Sequence, residues 1–164
     1  MAKQYRPTKE LRVEHQHLIH HLEDLRRTLD TLRAGASPEA TSGLEEADHF
    51  LQKILKPHAI WEEDNLYPLA DKIVCQHGKP SATMEEDHRE LLSRIDAFGR
   101  ELETIRSGKG TPEDIDRIRT LGYQIEAILA LHFRKEENVY LDLIDRHAAR
   151  GEVDALLKAA RHAH

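Results

Sequence analysis

The sequence predicts an all-α fold: an antiparallel up-down-up-down four-helix bundle, with a short amphipathic stretch over about 152–160 that can add a fifth helix. Three observations predict it. A third of the residues are charged, against three Phe, four Tyr and one Trp, a balance that suits a narrow aliphatic core between helices. Apolar residues recur at helical spacing in four segments separated by Gly, Pro and Ser clusters. The second half of the chain then repeats the pattern of the first: His15 precedes His58-x-x-x-Glu62, and His88 precedes His132-x-x-x-Glu136.

The four segments run over about 8–34, 39–75, 83–106 and 112–148. In the first, Leu11, Leu18, Ile19, Leu22, Leu25 and Leu29 form an apolar stripe containing His15. The break at Ala34-Gly35-Ala36-Ser37-Pro38 ends it, and Ser42 with Glu45 makes a capping-box pattern for the second. There Leu51, Ile54 and Leu55 put His58 on the core face, and Pro57 predicts a kink just before it by removing the bond to the Lys53 carbonyl. Trp61 falls at the edge of that stripe, as packing. After His77-Gly78-Lys79-Pro80, Thr83 with Glu86 repeats the capping pattern. Met84, Leu91, Leu92, Ile95, Phe98 and Leu102 then surround His88 at the offsets seen around His15. The break at Ser107-Gly108-Lys109-Gly110 leads to Thr111-Pro112-Glu113-Asp114, a cap residue, a proline at the first helical position and two acids in the first turn. Ile125, Ile128 and Leu129 precede His132 as their counterparts precede His58.

At 164 residues the chain is expected to form a single domain, with the bundle over about 8–148 and a tail over about 149–164. A net charge of −6 offers no nucleic-acid surface. The lone Cys75 excludes an intramolecular disulfide and a cysteine-rich metal site, and reads as an ordinary thiol near the core. No apolar run resembles a signal peptide or a membrane span, so a cytoplasmic location without membrane contact is expected.

Six residues carry the chemistry. His15, His58, Glu62, His88, His132 and Glu136 all fall on core faces, and a buried carboxylate without a partner is costly by several kcal/mol. A metal relieves that cost at both glutamates, and imidazole with carboxylate suits iron, manganese or zinc. The other histidines sort away from the site: His17, His20, His21 and His49 point off the stripe, while His77, His147, His162 and His164 sit in loops or near helix ends. Glu63 and Glu137 are expected to turn toward solvent or helix boundaries. A ferritin-like arrangement needs Glu-x-x-His on two helices; Glu46-x-x-His49 faces outward and Glu85-x-x-His88 has no partner, so it is set aside.

The ordered set Glu14-His15, His58-x-x-x-Glu62-Glu63, Asp87-His88 and His132-x-x-x-Glu136-Glu137 resembles the hemerythrin-like family, or HHE cation-binding domains, over about residues 8–148. The resemblance implies a non-heme di-iron centre bridged by the two carboxylates, and chemistry with dioxygen, hydrogen peroxide or nitric oxide. On two octahedral ions, these ligands and a bridging oxo or hydroxo group leave one exchangeable position per metal. The sequence departs from oxygen carriers at Leu92, where they have a fifth histidine one turn after His88, and reversible oxygen storage is less expected for it.

Two classes of function remain open. One is a di-iron oxidoreductase acting on peroxide or nitric oxide; the other is an oxygen or iron sensor, or a store, without turnover. Small molecules are the expected partners in both.

Overall fold

A computed structural model describes residues 7–32, 37–74 and 79–163. Among them there is no strand, and the helices group into five. Helix α1 is Lys9–Thr31. Helix α2 covers 38–74, with α-helical stretches Pro38–Phe50, Lys56–Trp61 and Tyr67–Val74 joined by wide π-type turns at Leu51–Leu55 and Glu62–Leu66. Helix α3 is Ala82–Thr104, closed by the turn Ile105–Lys109. Helix α4 covers 112–147, again with a wide turn, Glu136–Tyr140, between Pro112–Lys135 and Leu141–His147. Helix α5 is Arg150–Ala163, the expected tail helix extended at both ends.

Three helix starts test the sequence signals. Thr111 caps α4 as expected: its Oγ1 accepts the Asp114 N–H at 3.3 Å, and Asp114 Oδ2 accepts the Thr111 N–H at 2.7 Å. The other two caps shift. Helix α2 begins at Pro38, with Ser37 Oγ accepting the Ala40 N–H at 3.2 Å, so Ser42 lies inside the helix. Helix α3 begins at Ala82 and leaves Thr83 inside; Ser81 donates from its N–H and its hydroxyl to Asp71, at 3.0 and 2.7 Å. A tertiary carboxylate does there what a local box does elsewhere. Gly108, at φ +73°, takes the left-handed conformation that ends α3. Cys75, His77, His164 and the break at 34–36 lie outside the described residues, as does the side chain of His162.

Each long helix packs on two others: α1 on α2 and α4, and α3 on α2 and α4. The interior divides into two apolar clusters. One contains Leu18, Leu22, Leu25 and Leu29 with Leu55, Leu91, Ile95, Phe98, Leu129 and Phe133. The other contains Leu11, Trp61, Leu66, Tyr67, Met84, Tyr140 and Leu141, covered by Val153, Leu156 and Ala160 of α5. The four core histidines sit between these clusters, so a polar layer crosses the bundle. Ile19 departs from the expected stripe and is 39% exposed. Its offset from His15 turns it about 40° to one side, whereas Leu18, Leu22 and Leu29 lie about 20–60° to the other. No helix among the described residues is long and apolar enough to cross a membrane.

Candidate metal centre

The structure brings all six sequence-predicted residues together. His15, His58, Glu62, His88 and His132 are each 1% exposed and Glu136 is fully buried. They form two triads sharing one carboxylate: His15 and His58 with Glu62, and His88 and His132 with the same Glu62. Glu62 Oε1 lies 3.4 Å from His15 Nε2 and 2.9 Å from His58 Nε2, while Oε2 lies 3.4 Å from His88 Nε2 and 3.9 Å from His132 Nε2. Glu136 spans the same gap, with Oε1 3.3 Å from His132 Nε2 and Oε2 3.7 Å from His15 Nε2. Both carboxylates therefore reach both histidine pairs.

Every imidazole presents Nε2 inward and Nδ1 outward to a carboxylate. His15 pairs with Glu137 and His88 with Glu63, each at 2.9 Å; His58 pairs with Glu14 at 2.9 Å and His132 with Asp87 at 3.2 Å. An ionised carboxylate only accepts, so each Nδ1 donates its proton outward and each Nε2, the atom a metal would take, is turned to the centre. Glu63 and Glu137 thus correct the sequence expectation of solvent-facing side chains. They follow the glutamates that aim inward, and the neighbouring helix lies within their reach. The pairing respects the repeat: His58 and His132 use the acid before the first histidine of their own half, whereas His15 and His88 use the acid from the other half. Arg12 fixes Glu137 at 2.7 Å and also bonds Asp142 and Asp145; Lys135 holds Asp87.

Wide turns begin at both inward glutamates. The Tyr67 N–H reaches the Glu62 carbonyl and the Leu141 N–H reaches the Glu136 carbonyl, each five residues back. On an unbroken helix Tyr67 stands about 180° from His58; absorbing one residue in the turn brings it to about 80°. Its side chain enters the site. The hydroxyl donates to Glu136 Oε1 at 2.8 Å and lies 3.3 and 3.2 Å from Nε2 of His88 and His132. No period-3.6 reading of the sequence finds this residue, and its counterpart in the repeat is Leu141. The wide turn Leu51–Leu55 falls just before Pro57, where the sequence predicts a kink: the Lys56 N–H bonds the Leu51 carbonyl. Trp61 is buried in the second cluster 6.4 Å from the His58 ring, as packing. Leu92, at the same offset as Ile19, is half-buried against the first cluster.

Charge dominates the protonation of this layer. Burial pushes the His15 imidazole down, but bonds to Glu137 and Glu62 and the nearby carboxylate charges raise it to about 9. Burial likewise opposes protonation of His58, and Glu62 and Glu14 overcome it to reach about 10. His132 is raised well above its ordinary value, against burial, by Glu136 and Asp87. Burial would raise the Glu62 carboxyl, yet the surrounding imidazoles hold it well below the usual range. Burial and the charges of Glu62 and Glu136 push the Tyr67 phenol up, so it stays a donor.

The residues fit a cation. Oε2 of Glu62 and Oε2 of Glu136 are buried without a hydrogen-bond partner, although basic nitrogens surround them. His88 Nε2 and His132 Nε2 face each other at 3.0 Å, which a shared proton or an interposed cation can hold. The description "Hemerythrin HHE cation binding domain" matches residues 6–144, a span that contains all six side chains. The chain belongs to the hemerythrin HHE cation-binding family. No curated protein and no solved structure matches it. The family match ends before α5, so the hemerythrin HHE region supplies every candidate ligand and α5 supplies only cover. His17, His20, His21, His49 and His147 are exposed, as is Glu46, and Glu85 pairs with Lys79.

Proposed function

We propose that the chain binds two metal ions, iron foremost, through His15, His58, Glu62, His88, His132 and Glu136, and acts on small oxidants. Dioxygen, hydrogen peroxide and nitric oxide are the ligands this reading expects, with no nucleic-acid or membrane partner and a cytoplasmic location. The observation that carries it is Glu62: one buried carboxylate serves two histidine pairs, and an oxygen on each inward glutamate lacks a hydrogen-bond donor. The frame in this reading is a single domain whose long helices alternate up and down. Thr28, late in α1, lies against Gly43, early in α2, as antiparallel neighbours should.

Bound iron would supply the redox and Lewis-acid chemistry. The protein's own residues do the rest. Glu14, Glu63, Asp87 and Glu137 keep the proton on each Nδ1 and orient each ring. Tyr67 holds its proton against Glu136 Oε1 on the His88–His132 side only, which makes the two sides chemically unlike. The flanking apolar clusters exclude bulk water.

Metal analysis of protein produced with iron tests the binding, with about two equivalents expected. Turnover assays with hydrogen peroxide and nitric oxide test the action: catalysis supports an oxidoreductase, and stoichiometric binding without turnover makes the chain a sensor or store. A metal content near zero with all six side chains intact refutes the reading.

A further inference from the structure

An open groove of about 640 Å³ runs between α1 and α4, and its floor adjoins the metal centre. Ile19, Leu22, Ala130 and Phe133 line it with apolar surface, and the Arg26–Glu126 pair, at 3.2 Å, stands on its rim. Phe133 is 2% exposed, and its ring lies 5.0 Å from the His15 ring and 6.4 Å from that of His58. Glu137 lines the groove and bonds His15 Nδ1. One aromatic ring therefore separates the groove from the first histidine pair.

The internal repeat supplies a comparison. On the equivalent face, between α2 and α3, Lys56 takes the place of Ala130, Asp96 that of Glu23 and Ala59 that of Phe133. Lys56 Nζ reaches Asp96 Oδ1 at 3.0 Å, and Gln52 Nε2 reaches the Ile95 carbonyl at 3.5 Å, so side chains strap that face across its two helices. The α1–α4 face carries a methyl group where the other carries the strap. Tyr67, meanwhile, covers the His88–His132 side from within.

Resting on the function proposed above, we infer that the α1–α4 groove is the route by which small uncharged molecules of the dioxygen and nitric oxide class reach the His15–His58 side, with Phe133 as its inner gate. The apolar floor of the groove favours such molecules, and xenon, an apolar probe of similar size, should collect on the same surface. Ions and strongly hydrated molecules gain nothing from it.

Two measurements test the route. In the metal-free protein under xenon, saturable methyl NMR shifts are expected at Ile19, Leu22 and Ala130; their absence, or shifts confined to other methyls, overturns the inference. In the iron-loaded protein, nitric oxide association is followed by stopped-flow absorbance. Ala130→Trp fills the groove from an exposed position, so it leaves the core and the iron content intact. It should slow association about tenfold, the change that about 1.4 kcal/mol of added barrier produces. Lys56→Trp, adding the same bulk to the strapped face, should leave the rate unchanged. Equal rates in Ala130→Trp and the parent, at equal iron content, overturn the route while the metal site stands. Failure to load iron overturns the proposed function instead, and the xenon measurement still decides whether the groove takes up apolar molecules.

Discussion

Glu62→Gln isolates the residue on which both halves of the site depend. The amide matches the carboxylate in size, so packing between the two apolar clusters is kept, while the charge is lost and one acceptor oxygen becomes an N–H donor. Without metal, the raised His15 and His58 lose the carboxylate at 3.4 and 2.9 Å that sustains their protonation. Breaking a buried ion pair on one side costs about 3–5 kcal/mol, and the remaining amide oxygen places this case at the low end. For a chain of this size, a loss of about 3 kcal/mol lowers the thermal midpoint by about 6–12 °C. The metal increment is separate. A metal present at about a thousand times its dissociation constant stabilises the fold by about 4 kcal/mol per site, or about 8–16 °C. In Glu62→Gln that increment should vanish for both ions, because each triad loses its shared member. His58→Ala should lose only the increment of its own pair. Differential scanning calorimetry of chelated and iron-loaded protein separates the two effects, and fluorescence of the sole tryptophan, Trp61, 6.4 Å from His58, reports loading independently. If Glu62→Gln keeps the full iron-dependent rise in midpoint, the shared-carboxylate reasoning is refuted.

Four further outcomes follow from the structure. In the metal-free protein, His15 and His58 are raised to about 9 and about 10, so their stabilisation is complete below the unfolded value near pH 6.5 and is lost as pH rises through 9–10; urea denaturation in chelator at pH 7 and above pH 10 should show that decline. Iron loading should release protons at neutral pH, and its apparent affinity should rise between pH 6 and about 9, which calorimetry in buffers of different ionisation enthalpy measures. Tyr67→Phe removes a donor to a buried carboxylate and should cost the metal-free protein about 1.5–3 kcal/mol while leaving iron stoichiometry intact; equal stability would show that the 2.8 Å contact contributes nothing. Gly122→Ala would place a methyl group 2.6 Å from Leu29 Cδ1, where α1 meets α4, and should cost about 1–3 kcal/mol by denaturant titration.

The sequence by itself determined the helical class, the four long segments, the tail helix and all six inward residues, because each rests on a short-range period. A histidine with leucines and isoleucines at helical offsets can bury itself on one face only, and the H-x-x-x-E spacing puts the glutamate on that same face. What the tertiary structure decided begins where that period breaks or where another helix arrives. Two wide turns shift the register after Glu62 and Glu136, and only that shift carries Tyr67 into the site. Glu63 and Glu137 face outward on their own helices, yet a ring nitrogen from the opposite half of the repeat meets each of them. The paired acids Glu62-Glu63 and Glu136-Glu137 hinted at such a role, but their partners lie on helices distant in sequence. The cap of α3 shows the same logic, since Ser81 is held by Asp71 across the turn and the local Thr83–Glu86 signal goes unused. Local spacing names the inward residues; the packing of one half against the other supplies the acids that aim them.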